Sequence, residues 1–137
     1  MLSTLFGKKK LTEDKTANIF VNTIISVVDN TFEEVRDSII HDPVFENPPL
    51  IGKDDSDKFM MIVLTANLKI LSKYFSASEE LLIKGKIVEK FSRVYGLEFK
   101  QMKKIIENYS DFCYRVNHPS KNTIYGMSKA FFFKYSI

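Results

Sequence analysis

The stretch that decides the fold is residues 12–43, TEDKTANIFVNTIISVVDNTFEEVRDSIIHDP. Its apolar residues Val21, Ile25, Val28, Phe32, Val35 and Ile39 fall alternately four and three apart, which puts them on one stripe of an α-helix that packs along a neighbouring helix. Thr12 offers an N-cap oxygen, Glu13 and Asp14 place negative charge in the first turn where the helix dipole favours it, and Pro43 stops the pattern after His41-Asp42. The reading is a helix over 13–40, and so long an amphipathic helix needs helical partners.

Three further patterns supply them. A second helix, capped at Asp55, Ser56 or Asp57 and running to Tyr74 or Phe75, carries Met61, Leu64, Leu68, Leu71 and Phe75 on one stripe. Phe59, Met60, Ile62, Val63 and Ile70 fill its other faces, which predicts a central helix or one at an interface. Ser76 and Glu79 are spaced as a capping box for a third helix, with Ile83, Ile87, Val88, Phe91, Val94 and Tyr95 as its apolar face and Gly96 as its stop. A fourth carries Phe99, Met102, Ile106, Tyr109, Cys113 and Val116 and ends before His118-Pro119. Only Gly96-Leu97 separates the third from the fourth, so the two must double back as an antiparallel or steeply crossed pair. Residues 123–135 read as a short last helix weakened by Gly126. With no strand-period alternation in competition, the expected fold is all-α: a four-helix-type bundle with an additional short C-terminal helix, one domain over 1–137, with 1–11 flexible.

The 137 residues suit one domain, and 45% hydrophobic with 27% charged residues is the balance of a chain that builds a core. The longest apolar run, 59–64, is far short of a membrane span. The lysines Lys8 to Lys10 follow Met1 to Gly7 rather than precede them, the reverse of a signal peptide's order. A single cysteine, Cys113, excludes an intramolecular disulfide and points to a reducing, cytoplasmic setting. Lysine in excess over arginine, with abundant Asn, Ile and Phe, fits an AT-rich bacterial genome.

The net charge of +3 conceals an asymmetry: residues 11–57 carry three bases and eleven acids, residues 58–137 fourteen bases and six acids. The plainest consequence is that the two halves attract each other in the folded chain. A basic stripe of Lys86, Lys90 and Arg93, continued by Lys100, Lys103 and Lys104, is the candidate for an anion or nucleic-acid surface. It lacks interleaved exposed aromatics, because Phe91, Tyr95, Phe99 and Tyr109 fall on predicted core faces. Seventeen lysines against three arginines also argue against a dedicated phosphate reader, so nucleic acid is not the expected partner.

Catalytic and metal constellations fail on geometry. Glu33, Glu34, Asp37 and His41 have helical spacing, but on the helical wheel they centre opposite the Val28, Phe32, Val35 and Ile39 stripe and face water. Cys113 sits on the apolar stripe of its helix with His118 beyond the helix end, the position of a core thiol rather than a nucleophile. The run 52–57, GKDDSD, lacks the upstream glycine of a phosphate loop, where Asn47 stands, and lacks the alternating acids and distal glutamate of a calcium loop. No cofactor or metal set emerges, and an enzyme is not expected.

Two segments carry more apolar surface than a monomer needs. The 41–55 connection, with Pro43, Pro48 and Pro49, also contains Phe45, Leu50 and Ile51. Near the C-terminus, Phe131, Phe132 and Phe133 span about 200° of a helical wheel, more than one core-facing stripe accommodates. The leading expectation is a small helical protein acting by protein–protein interaction, with homodimerisation through these residues and the surplus faces of helix two. A membrane-surface contact through the phenylalanines is the variant of that reading. The alternative is a bundle holding an apolar small molecule or lipid among Met60, Met61, Phe75, Phe91 and Met102. No stretch matches a known family's motif residue by residue, and a helical bundle by itself assigns no function.

Overall fold

The computed structural model describes residues 12–118, 120 and 122–137; the expected flexibility of 1–11 lies outside them. The described residues are helical with no strand: α1 (Glu13–Ile40), α2 (Asp57–Leu68), the single turn α3 (Leu71–Tyr74), α4 (Ala77–Tyr95), α5 (Phe99–Asn117) and α6 (Thr123–Lys134). Five of these pack together, with α1 along α4 and α2, α5 against α2, α4 and α6, and α6 against α2.

The caps are built as the sequence requires. Thr12 Oγ1 accepts from the Lys15 amide at 3.2 Å. Ser76 and Glu79 exchange both bonds of the capping box, at 3.3 and 3.0 Å. Gly96 closes α4 in the left-handed conformation, φ 64°, while the Leu97 amide reaches back to the Ser92 carbonyl at 2.9 Å. On α1 the buried apolar positions are Ala17, Phe20, Val21, Ile24, Val28 and Phe32, whereas Ile25, Val35 and Ile39 are half-buried. The core-facing stripe thus drifts slowly around the helix over its length of about 42 Å.

Helix α2 departs from expectation at both ends. It ends at Leu68 rather than Tyr74 or Phe75 because its last residues compete with the backbone ladder. Thr65 Oγ1 donates to the Met61 carbonyl at 2.8 Å and Asn67 Nδ2 to the Val63 carbonyl at 2.8 Å. The chain then tightens through three-residue bonds, Ile70 amide to Asn67 carbonyl and Lys73 amide to Ile70 carbonyl, the second of them opening α3. At its N-terminus the cap residue Ser56 makes no side-chain cap bond. The orphan amide of Phe59 is instead taken by the Tyr135 hydroxyl at 3.1 Å, which in turn donates to the Asp55 carbonyl. The end of the chain therefore caps its central helix.

The surplus apolar faces of α2 are consumed within the chain. Every residue from Met60 to Thr65 is buried, since α1, α5 and α6 all pack on this helix. A subunit interface is not needed to cover them.

Candidate functional site

The feature that stands out is a cleft of about 840 Å³ walled by the C-terminal end of α2, the N-terminal half of α4, the length of α5 and the start of α6. It exists because the residues facing it are small where helices would otherwise interlock. Ala66, Gly85 and Ser110 contribute little or no side chain to the space between the helices. Gly85 is the clearest case: it lies inside α4, and a Cβ built on it would meet nothing within 4 Å. A glycine there costs helix stability of about 0.5–1 kcal/mol relative to alanine, and no packing contact demands it.

The remaining wall is mostly apolar, with Leu68, Ile87, Val88, Ile106 and Met127 inside and Leu81 and Phe99 at the mouth. The cleft opens to solvent past Leu81 and Phe99, and its apolar walls favour an apolar guest over the water that otherwise fills it. Charge around it is mixed: Lys69, Lys84 and Lys103 stand with Glu107 and Asp111. Lys84 pairs with Glu80 at 3.5 Å and Lys103 with Glu107 at 3.9 Å, contacts worth little in solvent.

Two of the polar side chains that α5 presents to the cleft, Cys113 and Asn117, lie toward its C-terminal end. Cys113 is half-buried, with its Sγ 3.7 Å from Thr65 Oγ1. Burial pushes its thiol pKa up, against smaller lowering influences from Thr65, Lys69 and Lys134, so it is a wall group rather than a thiolate. Asn117, the last residue of α5, is only 8% exposed, and its Oδ1 is buried with no hydrogen-bond partner among the described residues. It is held by Gly126 of α6, where an added Cβ would stand 2.7 Å from the Asn117 Cγ. Neither Gly85 nor Asn117 was singled out from the sequence. The available signals were a glycine inside a strong helical pattern and an amide four residues after Cys113 on the apolar stripe.

The residues expected to line a ligand space do not. Met60, Met61, Phe91 and Met102 are buried in the core, and Phe75 packs beside it, because facing helices interdigitate there and leave no room. Phe99 moves the other way: expected in the core, it is exposed at the cleft mouth, since it opens α5 just past the turn where α4 and α5 part.

The expected interaction residues also divide. Ile51 is buried, and its carbonyl accepts from Arg36 Nε, which pins the proline-rich connection to α1. Phe45 is half-buried and Leu50 is 97% exposed. Of the three phenylalanines, Phe131 packs against Phe59 and Tyr135 in the core, while Phe132 and Phe133 remain exposed. One helix stripe buries only one of three consecutive residues well.

The basic residues do not form one surface. Lys90 and Lys86 approach Asp14 of α1 at 3.3 and 3.9 Å, and Arg93 pairs with Glu89. Lys103 belongs to the cleft wall, and Lys100 and Lys104 are exposed on α5. Part of the charge asymmetry is thus spent between α1 and α4. Glu33, Glu34 and His41 are exposed, as the wheel requires, while Asp37 is half-buried against Arg36. Among the described residues no three His, Cys, Asp or Glu side chains group as metal ligands, and no helix is long and apolar enough to cross a membrane.

Comparison with protein families, curated proteins and solved structures finds no match.

Proposed function

We propose that this protein is a non-catalytic binding module that takes an apolar small molecule into the cleft between α4 and α5. The observation that carries the reading is the cleft itself: about 840 Å³ with mainly apolar walls, within the size range of drug-like ligand sites. Gly85 supports it, because its missing side chain opens the middle of the α4 wall at a cost to the helix. A reducing compartment such as the cytoplasm, where Cys113 stays a thiol, belongs to the same reading. The test is titration of the intact chain with the apolar fluorophore N-phenylnaphthylamine. Saturable binding at one site per chain, lost in Gly85→Phe, is expected; non-saturable or unaltered binding counts against it.

A second reading rests on a different observation. Ile124, Tyr125, Phe132 and Phe133 are all exposed along α6, an apolar surface that suits self-association or a protein partner. Size-exclusion chromatography with light scattering decides the first of these: a species near twice 15.9 kDa that reverts to monomer in Phe132→Glu/Phe133→Glu supports a homodimer, and a monomeric parent chain removes it.

A further inference from the structure

Helix α6 turns one face inward and leaves the other without a cover. Gly126, Ala130 and Phe131 are buried, whereas Ile124, Tyr125, Phe132 and Phe133 are exposed. Four-residue spacing sets the outer face in two adjacent rows, Ile124-Ser128-Phe132 and Tyr125-Lys129-Phe133. We propose that this face docks on an anionic lipid bilayer, with α6 lying in the plane of the headgroups and its exposed rings among the outer acyl chains. This surface is separate from the cleft, whose wall takes Thr123, Gly126 and Met127 from α6 and none of the four exposed apolar residues.

Charge selects the occupant. From Phe112 to Ile137 the sequence carries Arg115, Lys121, Lys129 and Lys134 and no acid. The ion pairs among the described residues lie on α1, α4, α5 and the 41–55 connection, and Lys129 and Lys134 take part in none of them. Both are seated on aromatic rings instead. Lys129 Nζ lies 5.1 Å from the centre of the Tyr125 ring, and Lys134 Nζ lies 4.5 and 4.3 Å from those of Tyr109 and Phe112. A lysine held this way keeps its stem along apolar surface and its ammonium outward, which at a lipid interface matches rings to acyl chains and cations to phosphates. Asp55 and Asp57 act at Tyr135, the buried end of this segment, where Lys58 stands over the ring at 5.3 Å.

A second copy presenting the same face is the poorer match. A two-fold pair brings two lysine-bearing, acid-free faces together, and like charges across an interface repel. The shape agrees with a membrane too. Two successive exposed phenylalanines form a ridge rather than a groove, and a 12-residue helix, about 18 Å long, rests on a bilayer without spanning it.

Vesicle flotation of the intact chain tests this, with vesicles of equal parts phosphatidylcholine and phosphatidylserine against phosphatidylcholine alone. At about 0.1 M salt the mixed vesicles should bind at least tenfold more tightly, and most of that difference should vanish near 1 M, where charges are screened beyond about 3 Å. Lys129→Gln should weaken binding to the mixed vesicles about fivefold. Phe132→Ser/Phe133→Ser should weaken it tenfold or more with the helical circular dichroism retained, since both rings are exposed in the parent chain. Phe132→Trp adds the sole tryptophan of the chain, and its emission should shift to the blue on the mixed vesicles, a readout that needs no deletion of apolar surface. No flotation at low salt, equal binding to both vesicles, or unchanged binding by a folded Phe132→Ser/Phe133→Ser would each overturn the proposal. So would a dimer that this double variant dissociates and that ignores vesicles, which would give the face to a second copy.

Discussion

Replacing Gly85 separates a wall shaped for a guest from an incidental gap. Gly85→Ala adds a methyl group where nothing lies within 4 Å, inside a 19-residue helix closed by a capping box and a glycine stop. With no steric cost, the substitution should gain about 0.5–1 kcal/mol from reduced backbone entropy in the unfolded chain and better helix propensity. For a chain of this size that is roughly 2–4 °C in Tm. Gly85→Phe should be at least as stable as the parent, since its ring buries apolar area against Val88 and neighbouring walls. It should also weaken N-phenylnaphthylamine binding by about tenfold or more, because the ring occupies the middle of the cleft. Differential scanning fluorimetry and the fluorophore titration measure the two effects on the same samples. A fall in Tm for Gly85→Ala would show that the wall is closed at this point. Unchanged fluorophore binding by a well-folded Gly85→Phe would show that the cleft is not the site.

Three other outcomes follow from the packing. Tyr135→Phe removes the hydroxyl that joins the Phe59 amide to the Asp55 carbonyl and should cost about 1–3 kcal/mol in urea unfolding; a loss below about 0.5 kcal/mol would mean that water caps α2 equally well. Gly126→Ala should gain about 1 kcal/mol of helix propensity but lose more to the collision with Asn117, so its urea midpoint should fall; an unchanged midpoint would show that the Asn117 side chain moves aside without cost. Stability should decline as pH rises from 10 to 12. Burial first, then the charges of Asp57 and Asp29, pushes the Tyr95 pKa from 10.0 up to about 12, and burial also raises Tyr109 and Tyr135. The unfolded chain releases these protons near the ordinary value, so above it unfolding is favoured. Urea midpoints across that window check the sign, and a flat profile would contradict it.

Much of the fold could be read from the sequence because its signals are local. The 13–40 periodicity, the Ser76–Glu79 capping box and the Gly96 stop each act within one or two turns, and each appears as expected. The end of α2 was less legible. Thr65 and Asn67 bend the backbone bonding there, although apolar periodicity runs on to Leu71 and Phe75. The Tyr135 cap was invisible because its partners are 76 and 80 residues away. The cleft eluded the sequence for the same reason. A gap is the sum of small residues on several helices, and Ala66, Gly85 and Ser110 share no motif. Methionine and phenylalanine were the wrong guide, since large flexible side chains fill space rather than leave it.

The most direct measurement is an amide-resolved NMR titration of the intact chain with N-phenylnaphthylamine. Cross-peaks of Gly85, Cys113, Asn117 and Gly126 should shift together and saturate, while those of Val21, Ile24 and Val28, buried on α1 away from the cleft wall, stay fixed. Shifts that never saturate, or that gather at Phe132 and Phe133 on the outer face of α6 and spare the cleft, would contradict a binding site between α4 and α5.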